Sequence, residues 1–312
     1  MRIRLGYVAI SVCLPCTTSS TITYTNYVSS GKDDNLIDKT LKSNLDALST
    51  LIDYNIANNI HFYRLTSKLV PLATHKEVNF NYVDTYKSLF EQIGVKIKEV
   101  NMRVDTHPDQ FAVLNSTKSE VVESTYRILE YHYNILSLLG VEPVIILHVG
   151  SSEFGKKNSI TRFVNNFNKL SDNIKHSIVI ENDDKIYDVL DVLDLCKRID
   201  CPFVLDYHHY RCNNTQNIDI LDYLDEIFDT WDCTPKVHFS SPKSKLKKEY
   251  RSHSDYIDVF DFMEFISILK KCDRDVDVML EAKCKDDAIF RLVRELKLYS
   301  DYKFIDETSF EV

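Results

Sequence analysis

Glycine is scarce in this sequence, because only 6 of the 312 residues are glycine, about 2% against a typical 7%. A glycine-rich loop that cradles a nucleotide phosphate is therefore nearly excluded, and neither GxGxxG nor GxxxxGK[ST] occurs. We accordingly expect no nucleotide cofactor. Positive charge is also in deficit, since 38 Lys and Arg residues face 47 Asp and Glu residues, for a net charge of −9. That balance excludes a nucleic-acid binder of the histone type unless bound cations reverse the sign locally.

Long apolar runs and a second pair of closely spaced cysteines are missing as well. No stretch reaches the 18 or more apolar residues of a membrane span, so we expect no membrane partner and a cytoplasmic protein, associated with the nucleoid if the source is a bacterium. The eight cysteines are too few for a disulfide scaffold, and the single CxxC of Cys13 and Cys16 has no second CxxC to complete a zinc ribbon. We expect reduced, mostly buried thiols.

Short apolar runs alternate with helical patterns to the end of the chain. Leu41, Leu45 and Leu48 illustrate one helical face, whose apolar residues recur three or four positions apart. Strands that alternate with helices predict parallel pairing. Eight such units predict an α/β protein with one domain over residues 1–312, a (β/α)₈ barrel, and a doubly wound open sheet is the rival. The predicted strands are 3–7, 60–65, 99–104, 143–149, 177–180, 202–205, 236–239 and 277–280.

Histidines and carboxylates follow six consecutive predicted strands at the same end. In a barrel, the carboxyl ends of the strands form the active face. A lone histidine or carboxylate there is usually a hydrogen-bonded core group or a helix cap. The presence of such residues after six strands in succession needs another explanation. The residues in question are Asp105, His107, His148, Glu181, Asp206, His208, His209, His238 and Glu281.

Buried carboxylates at a barrel mouth need compensating charge, because burying them unpaired is costly. Neutral histidines cannot supply it, whereas divalent cations can, and imidazole with carboxylate suits Zn²⁺ or Mn²⁺. We therefore predict a multinuclear metal site rather than a structural ion-pair cluster. Clustered divalent ions favour phosphodiester hydrolysis, with metal-assisted sugar isomerisation as the weaker alternative on the same scaffold.

Short motifs surround these positions and continue through the rest of the chain. They are RLGY at 4–7, FYRL at 62–65, TH at 74–75, DTHPDQF at 105–111, LHVG at 147–150, ENDD at 181–184, DYHH at 206–209, KVHFS at 236–240, HSDY at 253–256 and LEAK at 280–283. Together these motifs resemble the UV damage endonucleases, a family of the endonuclease IV-like barrel superfamily. The resemblance extends over about nine tenths of the chain, and its motifs are specific in combination although each is weak alone.

The resemblance implies three divalent metal ions, with Mn²⁺ expected and Zn²⁺ or Mg²⁺ compatible with the same donors. Glu181 would join the first site to the second. The first site would consist of His107, His148 and Glu181, the second of Glu181, Asp206, His238 and Glu281, and the third of His209 and His253.

The resemblance also implies an activity. The enzyme would cut one strand of double-stranded DNA immediately 5′ to cyclobutane pyrimidine dimers and 6-4 photoproducts, leaving 3′-hydroxyl and 5′-phosphate ends. Two alternatives stay open, an abasic-site endonuclease of the endonuclease IV type and a metal-dependent sugar isomerase. We expect a monomer.

Gln110 and Phe111 occupy the position of the family's two-residue probe, typically Gln-Tyr, which wedges into a duplex. A Phe packed under its own loop is the alternative from the residues alone. Tyr7 is a further candidate for contact with the lesion. Ser11 stands where the family often has Asn, which puts a lesion contact at that position in doubt.

Two other candidates are assigned to catalysis, Lys236 and His75, together with Glu181. Lys236 has the same parity as His238 and so faces the same side of its strand. It would contact phosphate, pair with Glu281 or carry a carboxyl group formed with CO₂. His75 would lie near the metals or contact phosphate.

A run of basic residues precedes His253 and is either a solvated face or a contact to the DNA backbone. Because it flanks the predicted phosphodiester site, we expect it to bind DNA. Its members are Lys243, Lys245, Lys247, Lys248 and Arg251.

Overall fold

Eight parallel strands form a closed barrel in the computed structural model, which describes residues 1–312. The strands are β1 (Arg2–Val8), β2 (Phe62–Leu65), β3 (Arg103–Thr106), β4 (Ile145–His148), β5 (Ile178–Glu181), β6 (Phe203–Asp206), β7 (Lys236–Phe239) and β8 (Val276–Leu280). Each strand pairs with the next in the chain, and β1 pairs in parallel with both β8 and β2. The predicted (β/α)₈ barrel is confirmed.

Helices connect the strands and cover the outside of the barrel. A cluster of 68 buried residues lies largely between the two layers. The helices are α1 (Tyr24–Ser29), α2 (Asp34–Ala57), α3 (Tyr82–Thr85), α4 (Lys87–Glu99), α5 (Ser119–Leu139), α6 (Lys156–Phe167), α7 (Asp172–Ser177), α8 (Val189–Ile199), α9 (Tyr207–Cys212), α10 (Leu224–Phe228), α11 (Val259–Leu269) and α12 (Lys285–Tyr299), with 3₁₀ turns at Ile220–Asp222 and Lys270–Cys272.

Gly94 is one of the few glycines, and the packing of two helices requires it. A Cβ atom at Gly94 in α4 would lie 1.9 Å from the carbonyl oxygen of Leu139 in α5. Only glycine allows the two helices to approach so closely, and close helix contacts of this kind require the absence of a side chain.

The structure departs from the predicted strands most clearly in two places. The third strand begins at Arg103 rather than at 99, because α4 continues to Glu99 and a turn with Asn101 at φ 50° follows it. A carboxyl-terminal hairpin, β9 (Lys303–Phe304) and β10 (Ser309–Glu311), was not predicted. It pairs with the first residues of β1, and strands of two or three residues are too short to show alternation.

The barrel interior has two levels with different chemistry. Its lower layer, toward the amino ends of the strands, consists of Arg4, Arg103, Lys236 and Asp277. Register places Arg4 and Lys236 on either side of Asp277, and Arg103 reaches the same carboxylate through an ion pair. An apolar group of Ile146, Val179, Val204 and Trp231 fills the opposite side. His148, Glu181 and Asp206 lie two residues further along β4, β5 and β6 and share the inward parity of the three strand residues in that group. The carboxyl ends of the strands, which we call the mouth, therefore hold the predicted site.

All eight cysteines are free, but only Cys196 and Cys201 are buried. The expectation of mostly buried thiols is therefore wrong. No helix combines the length and the apolar character that crossing a membrane requires.

Candidate metal centre

Three overlapping groups of side chains converge at the mouth, and within each group the potential ligand atoms lie within 4.8 Å of one another. Six of the seven ligands are one of the last two residues of a strand or directly follow it, and His209 lies in α9, which begins immediately after β6. The parallel barrel itself therefore brings them together. We call them the ligand cluster. Its groups are His107 with His148 and Glu181, Glu181 with Asp206 and His209, and Asp206 with His238 and Glu281.

Glu181 is the centre of the ligand cluster. Its Oε2 lies 2.8 Å from His107 Nε2 and 3.6 Å from His148 Nε2. Its Oε1 lies 2.9 Å from His238 Nδ1 and 3.5 Å from His209 Nδ1. The carboxylate is 1% exposed, and each of its oxygens faces two imidazoles. Glu181 thus belongs to two of the three ligand groups at once.

Charge in the ligand cluster is not balanced by the protein alone. Burial raises the pKa of Asp206 to about 7. Burial also acts to raise the pKa of Glu181, but the imidazoles of His238 and His148 hold it well below its usual range. Asp206 Oδ2 and His148 Nδ1 are buried without a hydrogen-bond partner. Unpartnered buried polar atoms call for an unseen partner, and these nitrogen and oxygen donors fit divalent cations such as Zn²⁺ or Mn²⁺.

The pair that was predicted to hold a third ion is less compact. His209 and His253 have ring centroids 6.5 Å apart. His209 Nδ1 lies 3.6 Å from Asp206 Oδ2 and so belongs with the central carboxylates, while His253 Nδ1 lies 3.9 Å from Glu281 Oε2. His253 therefore approaches the centre from the loop after β7, on the side of Glu281.

Arg64 is a member of the site that the sequence analysis did not identify. It lies in β2 and is buried, and it donates hydrogen bonds to Glu281 at 2.5 Å and to Asp105 at 3.3 Å. Its Nη2 also contacts His238 Nε2. Burial acts to raise the pKa of Glu281, and Arg64 reverses this and lowers it. A charged residue in the middle of an otherwise apolar strand was the feature that could have revealed it, because such a residue needs a buried partner.

The structure places Lys236 below the ligand cluster rather than in it. Lys236 is fully buried, and its Nζ lies 2.6 Å from Asp105 Oδ2, with the rings of Phe62 and Trp231 beside it. Burial lowers its pKa to about 8. Lys236 shares the inward parity of His238, as predicted, but it pairs with Asp105 and not with Glu281. A fully buried amine cannot contact DNA phosphate in this arrangement. The expected contact between Lys236 and a phosphate is therefore wrong.

Tyr7 lies outside the barrel wall. Its side chain is fully buried, and its hydroxyl donates a hydrogen bond to Asn55 in α2 at 2.8 Å. The expected contact with a lesion is therefore wrong, because Tyr7 faces the helical layer. Ser11 is also turned away from the mouth, since its hydroxyl donates to Asp286 and its side chain is buried.

His75 belongs to a groove next to the ligand cluster. Its ring stacks on Tyr24 at 3.9 Å between centroids, and it lines a groove with Thr66, Ser67 and Asp109. None of the three ligand groups includes it. The groove shares part of its wall with the cavity above the ligand cluster, which puts His75 at the edge of the site.

Gln110 and Phe111 form the exposed tip of the loop after β3. Phe111 is 69% exposed, and the carboxylate of Asp109 accepts a hydrogen bond from its backbone N–H at 2.9 Å. The alternative that Phe111 packs under its own loop is therefore wrong. Gln110 lines the cavity that also contains His107 and His148.

The basic run forms most of a loop closed by a β-bridge between Pro242 and His253. Lys243 lies 3.3 Å from Glu249, and Arg251 lies 3.6 Å from Asp184. The remaining three cations are exposed and have no ion-pair partner within 4.0 Å: Lys245, Lys247 and Lys248.

Comparison with known proteins gives concordant results. The profile of the family described as UV-endonuclease UvdE matches residues 3–311. A UV DNA damage endonuclease from Bacillus cereus (strain 03BB102) is 39% identical over 320 residues, which cover 100% of each chain. The crystal structure of SacUVDE is 34% identical with a TM-score of 0.87 and covers 95% of this chain and 99% of its own. Endonuclease IV from Thermus thermophilus, 15% identical with a TM-score of 0.54, covers 95% of this chain and 100% of its own. It shares the fold.

Proposed function

Since this chain belongs to the UV-endonuclease UvdE family and is a DNA repair endonuclease, we propose that it cuts one strand immediately 5′ to UV photoproducts in double-stranded DNA, in a reaction that depends on divalent metal ions. Cyclobutane pyrimidine dimers and 6-4 photoproducts are the proposed substrates, and the products carry 3′-hydroxyl and 5′-phosphate ends. The observation that carries the proposal is the overlap of three ligand groups at the mouth, two of which share the buried carboxylate of Glu181.

The ligand cluster has the donors for up to three cations. His107, His148 and Glu181 would hold the first, and Asp206, His238 and Glu281 the second with Glu181 shared. His209 and His253 would contribute to the third. Divalent ions bound there supply an activated water and positive charge for the phosphate oxygens. Mn²⁺ is the proposed metal.

The protein orients these ligands through hydrogen bonds. Asn182 accepts a hydrogen bond from the backbone N–H of Asp206 at 2.9 Å and donates one to its carbonyl oxygen at 3.0 Å. Arg64 holds the Glu281 carboxylate. Bonds of this kind fix ligand geometry before a cation binds, and their loss typically costs about 10–100-fold in metal affinity or activity.

Lesion recognition is assigned to Gln110 and Phe111. An exposed aromatic ring beside a long amide can enter a duplex and fill the space left by flipped bases. The loop begins at His107, so the insertion point is linked directly to the ligand cluster. A photoproduct already weakens stacking, and the wedge therefore amplifies an existing difference between damaged and undamaged DNA.

Backbone contacts are assigned to Lys245, Lys247 and Lys248, with Lys243 and Arg251 at the base of the same loop. Their charge offsets the chain's net negative charge of −9 next to the site. His75, at the edge of the neighbouring groove, is proposed to contact DNA rather than a metal ion.

The two alternatives differ from this proposal in their substrates. An abasic-site endonuclease needs no pocket for a bulky dinucleotide, and a sugar isomerase has no use for the basic loop. The exposure of Phe111 and of the three unpaired lysines favours a DNA substrate that must be opened.

The test is incision of an end-labelled duplex that contains one cyclobutane dimer, with Mn²⁺ present or removed by EDTA. The expected result is one metal-dependent cut at the 5′ side of the dimer, with a product whose 3′-hydroxyl a polymerase extends. A duplex with an abasic site and an undamaged duplex serve as controls. Preferential cutting of the abasic duplex would contradict the proposal.

A further inference from the structure

Lys285 lies where two cavities of the mouth meet. One is the cavity of about 380 Å³ above the ligand cluster, which it lines with His107, His148 and Glu281. The other is the groove of about 700 Å³ that contains His75. Lys285 is the only lysine or arginine that lines both cavities. A strand that runs from the ligand cluster into the groove would pass this side chain.

The amino group of Lys285 has no partner within the protein. The side chain is half-buried, yet it makes no hydrogen bond or ion pair, in contrast to Lys283, whose Nζ lies 3.7 Å from Asp255. Glu281, whose charge acts to raise the pKa of Lys285, is already held by Arg64 at 2.5 Å. Burial lowers the pKa of Lys285. A partly desolvated cation without a partner is unfavourable for folding alone, which points to a partner outside the chain.

The backbone at Lys285 is held in an unfavourable conformation. Its φ is 47°, in the left-handed region that favours glycine. The neighbouring Asp286 fixes this turn, because its buried carboxylate accepts hydrogen bonds from Ser11, Val12 and Tyr54. Glycine or asparagine would adopt this conformation with less strain. Strain of this kind accumulates at functional sites.

We propose that Lys285 binds a phosphate oxygen of the incised strand where that strand passes from the ligand cluster into the groove. The inference rests on the proposed function, since it names a contact to the same substrate. The ligand is a DNA phosphate, because the unpaired Lys285 cation faces a polar groove that is lined by Ser19, Thr21 and Thr66 and to which Lys68 adds a second positive charge.

Binding to a lesion duplex tests the proposal, with a 3′-methylene phosphonate at the incision point to prevent cutting. The enzyme is loaded with Mn²⁺, and the dissociation constant is measured over a series of salt concentrations. Lys285→Met should weaken binding by about fivefold or more and reduce the salt slope by about 0.9, the value for one phosphate contact. Lys285→Arg should keep the slope of the parent. Lys297→Met, at the far end of α12, is the matched control and should change neither quantity.

Lys285→Gly separates binding from folding. Because glycine adopts the left-handed conformation without strain, this variant should melt at or above the parent's temperature while showing the same reduction in slope as Lys285→Met. An unchanged affinity and slope in Lys285→Met would overturn the proposal, as would loss of bound metal in that variant. If the parent fails to cut photoproduct DNA, the proposed function fails instead, so the two failures are distinguishable.

Discussion

At the lower layer of the barrel interior, the Asp277 carboxylate accepts hydrogen bonds from Arg4 at 2.6 Å and from Arg103 at 2.7 Å. At the mouth, by contrast, Asp206 Oδ2 is buried without any hydrogen-bond partner. Both carboxylates are fully buried. The protein itself supplies hydrogen-bond partners for Asp277 but leaves Asp206 Oδ2 without one. A buried charge is stabilised by partners within the fold. Where a partner is missing, as at Asp206, we infer that a bound ligand supplies it.

The largest expected effect comes from the mouth. Glu181→Gln should abolish incision, a loss of at least about a thousandfold or 4 kcal/mol of transition-state stabilisation, and should lower the metal content. The reason is that Glu181 is shared between ligand groups. Elemental analysis and the incision assay check the two effects together. Full activity in this variant would remove the multinuclear mechanism.

Removing the carboxylate of the lower layer should reduce stability and leave metal binding unchanged. Asp277→Asn leaves two largely buried guanidinium groups without their carboxylate, and breaking a buried pair costs about 3–5 kcal/mol of unfolding free energy. Metal content should stay at the parent's level. Urea unfolding measures the loss. A variant as stable as the parent would show that these ion pairs are not what completes the lower layer.

The probe should affect affinity for damaged DNA. Phe111→Ala is expected to weaken binding of a lesion duplex by about tenfold or more, since stacking contributes about 1–3 kcal/mol per base and 1.4 kcal/mol is one decade. Phe111→Tyr should be nearly neutral because it keeps the ring. Undamaged duplex should bind each variant as it binds the parent. Equal affinity of Phe111→Ala and the parent for the lesion duplex would assign Phe111 no part in recognition.

The positive charge of the basic loop should contribute to DNA binding and not to the cutting step. Neutralising Lys245, Lys247 and Lys248 should weaken DNA binding and flatten its salt dependence by about 0.9 log units for each phosphate that the loop no longer neutralises. The turnover of bound substrate should be unaffected. Titrations at several salt concentrations measure the slope, and an unchanged slope would make the loop a solvated face.

A smaller effect concerns a buried group outside both regions, His132 in α5. Burial lowers its pKa to about 3, whereas an unfolded chain has a histidine pKa near 6.5. Below about pH 6.5 the unfolded state therefore binds a proton that the folded state does not, and stability falls with pH by up to about 1.4 kcal/mol per unit. His132→Leu should flatten this dependence between pH 6.5 and 4.5 in urea unfolding, and exposed His176→Ala should not. Parallel curves for His132→Leu and the parent would contradict the assignment.

The sequence predicted the strand order and most of the ligand cluster, because strand ends are visible as apolar runs that stop at a charged residue. It did not predict how deep in the barrel each side chain lies, or whether that side chain points into the barrel or toward the helices. Barrel strands are buried on both sides, so their apolar runs do not reveal which residues point inward, and Tyr7 was assigned to the wrong side. Lys236 has the right parity, but it precedes His238 by two residues on β7 and therefore lies one layer deeper in the barrel. Arg64 needed knowledge of its partners, which come from β3, β7 and the residue after β8.

The most direct test of the difference between mouth and lower layer is the rise in melting temperature when Mn²⁺ replaces EDTA. Ligand binding to the folded state alone stabilises by about 2.7 kcal/mol at a hundredfold excess over Kd, so the parent should gain about 5 °C or more. Asp277→Asn should melt lower in EDTA yet show the same gain. Glu181→Gln should lose most of the gain. No gain in the parent, or an undiminished gain in Glu181→Gln, would contradict the account.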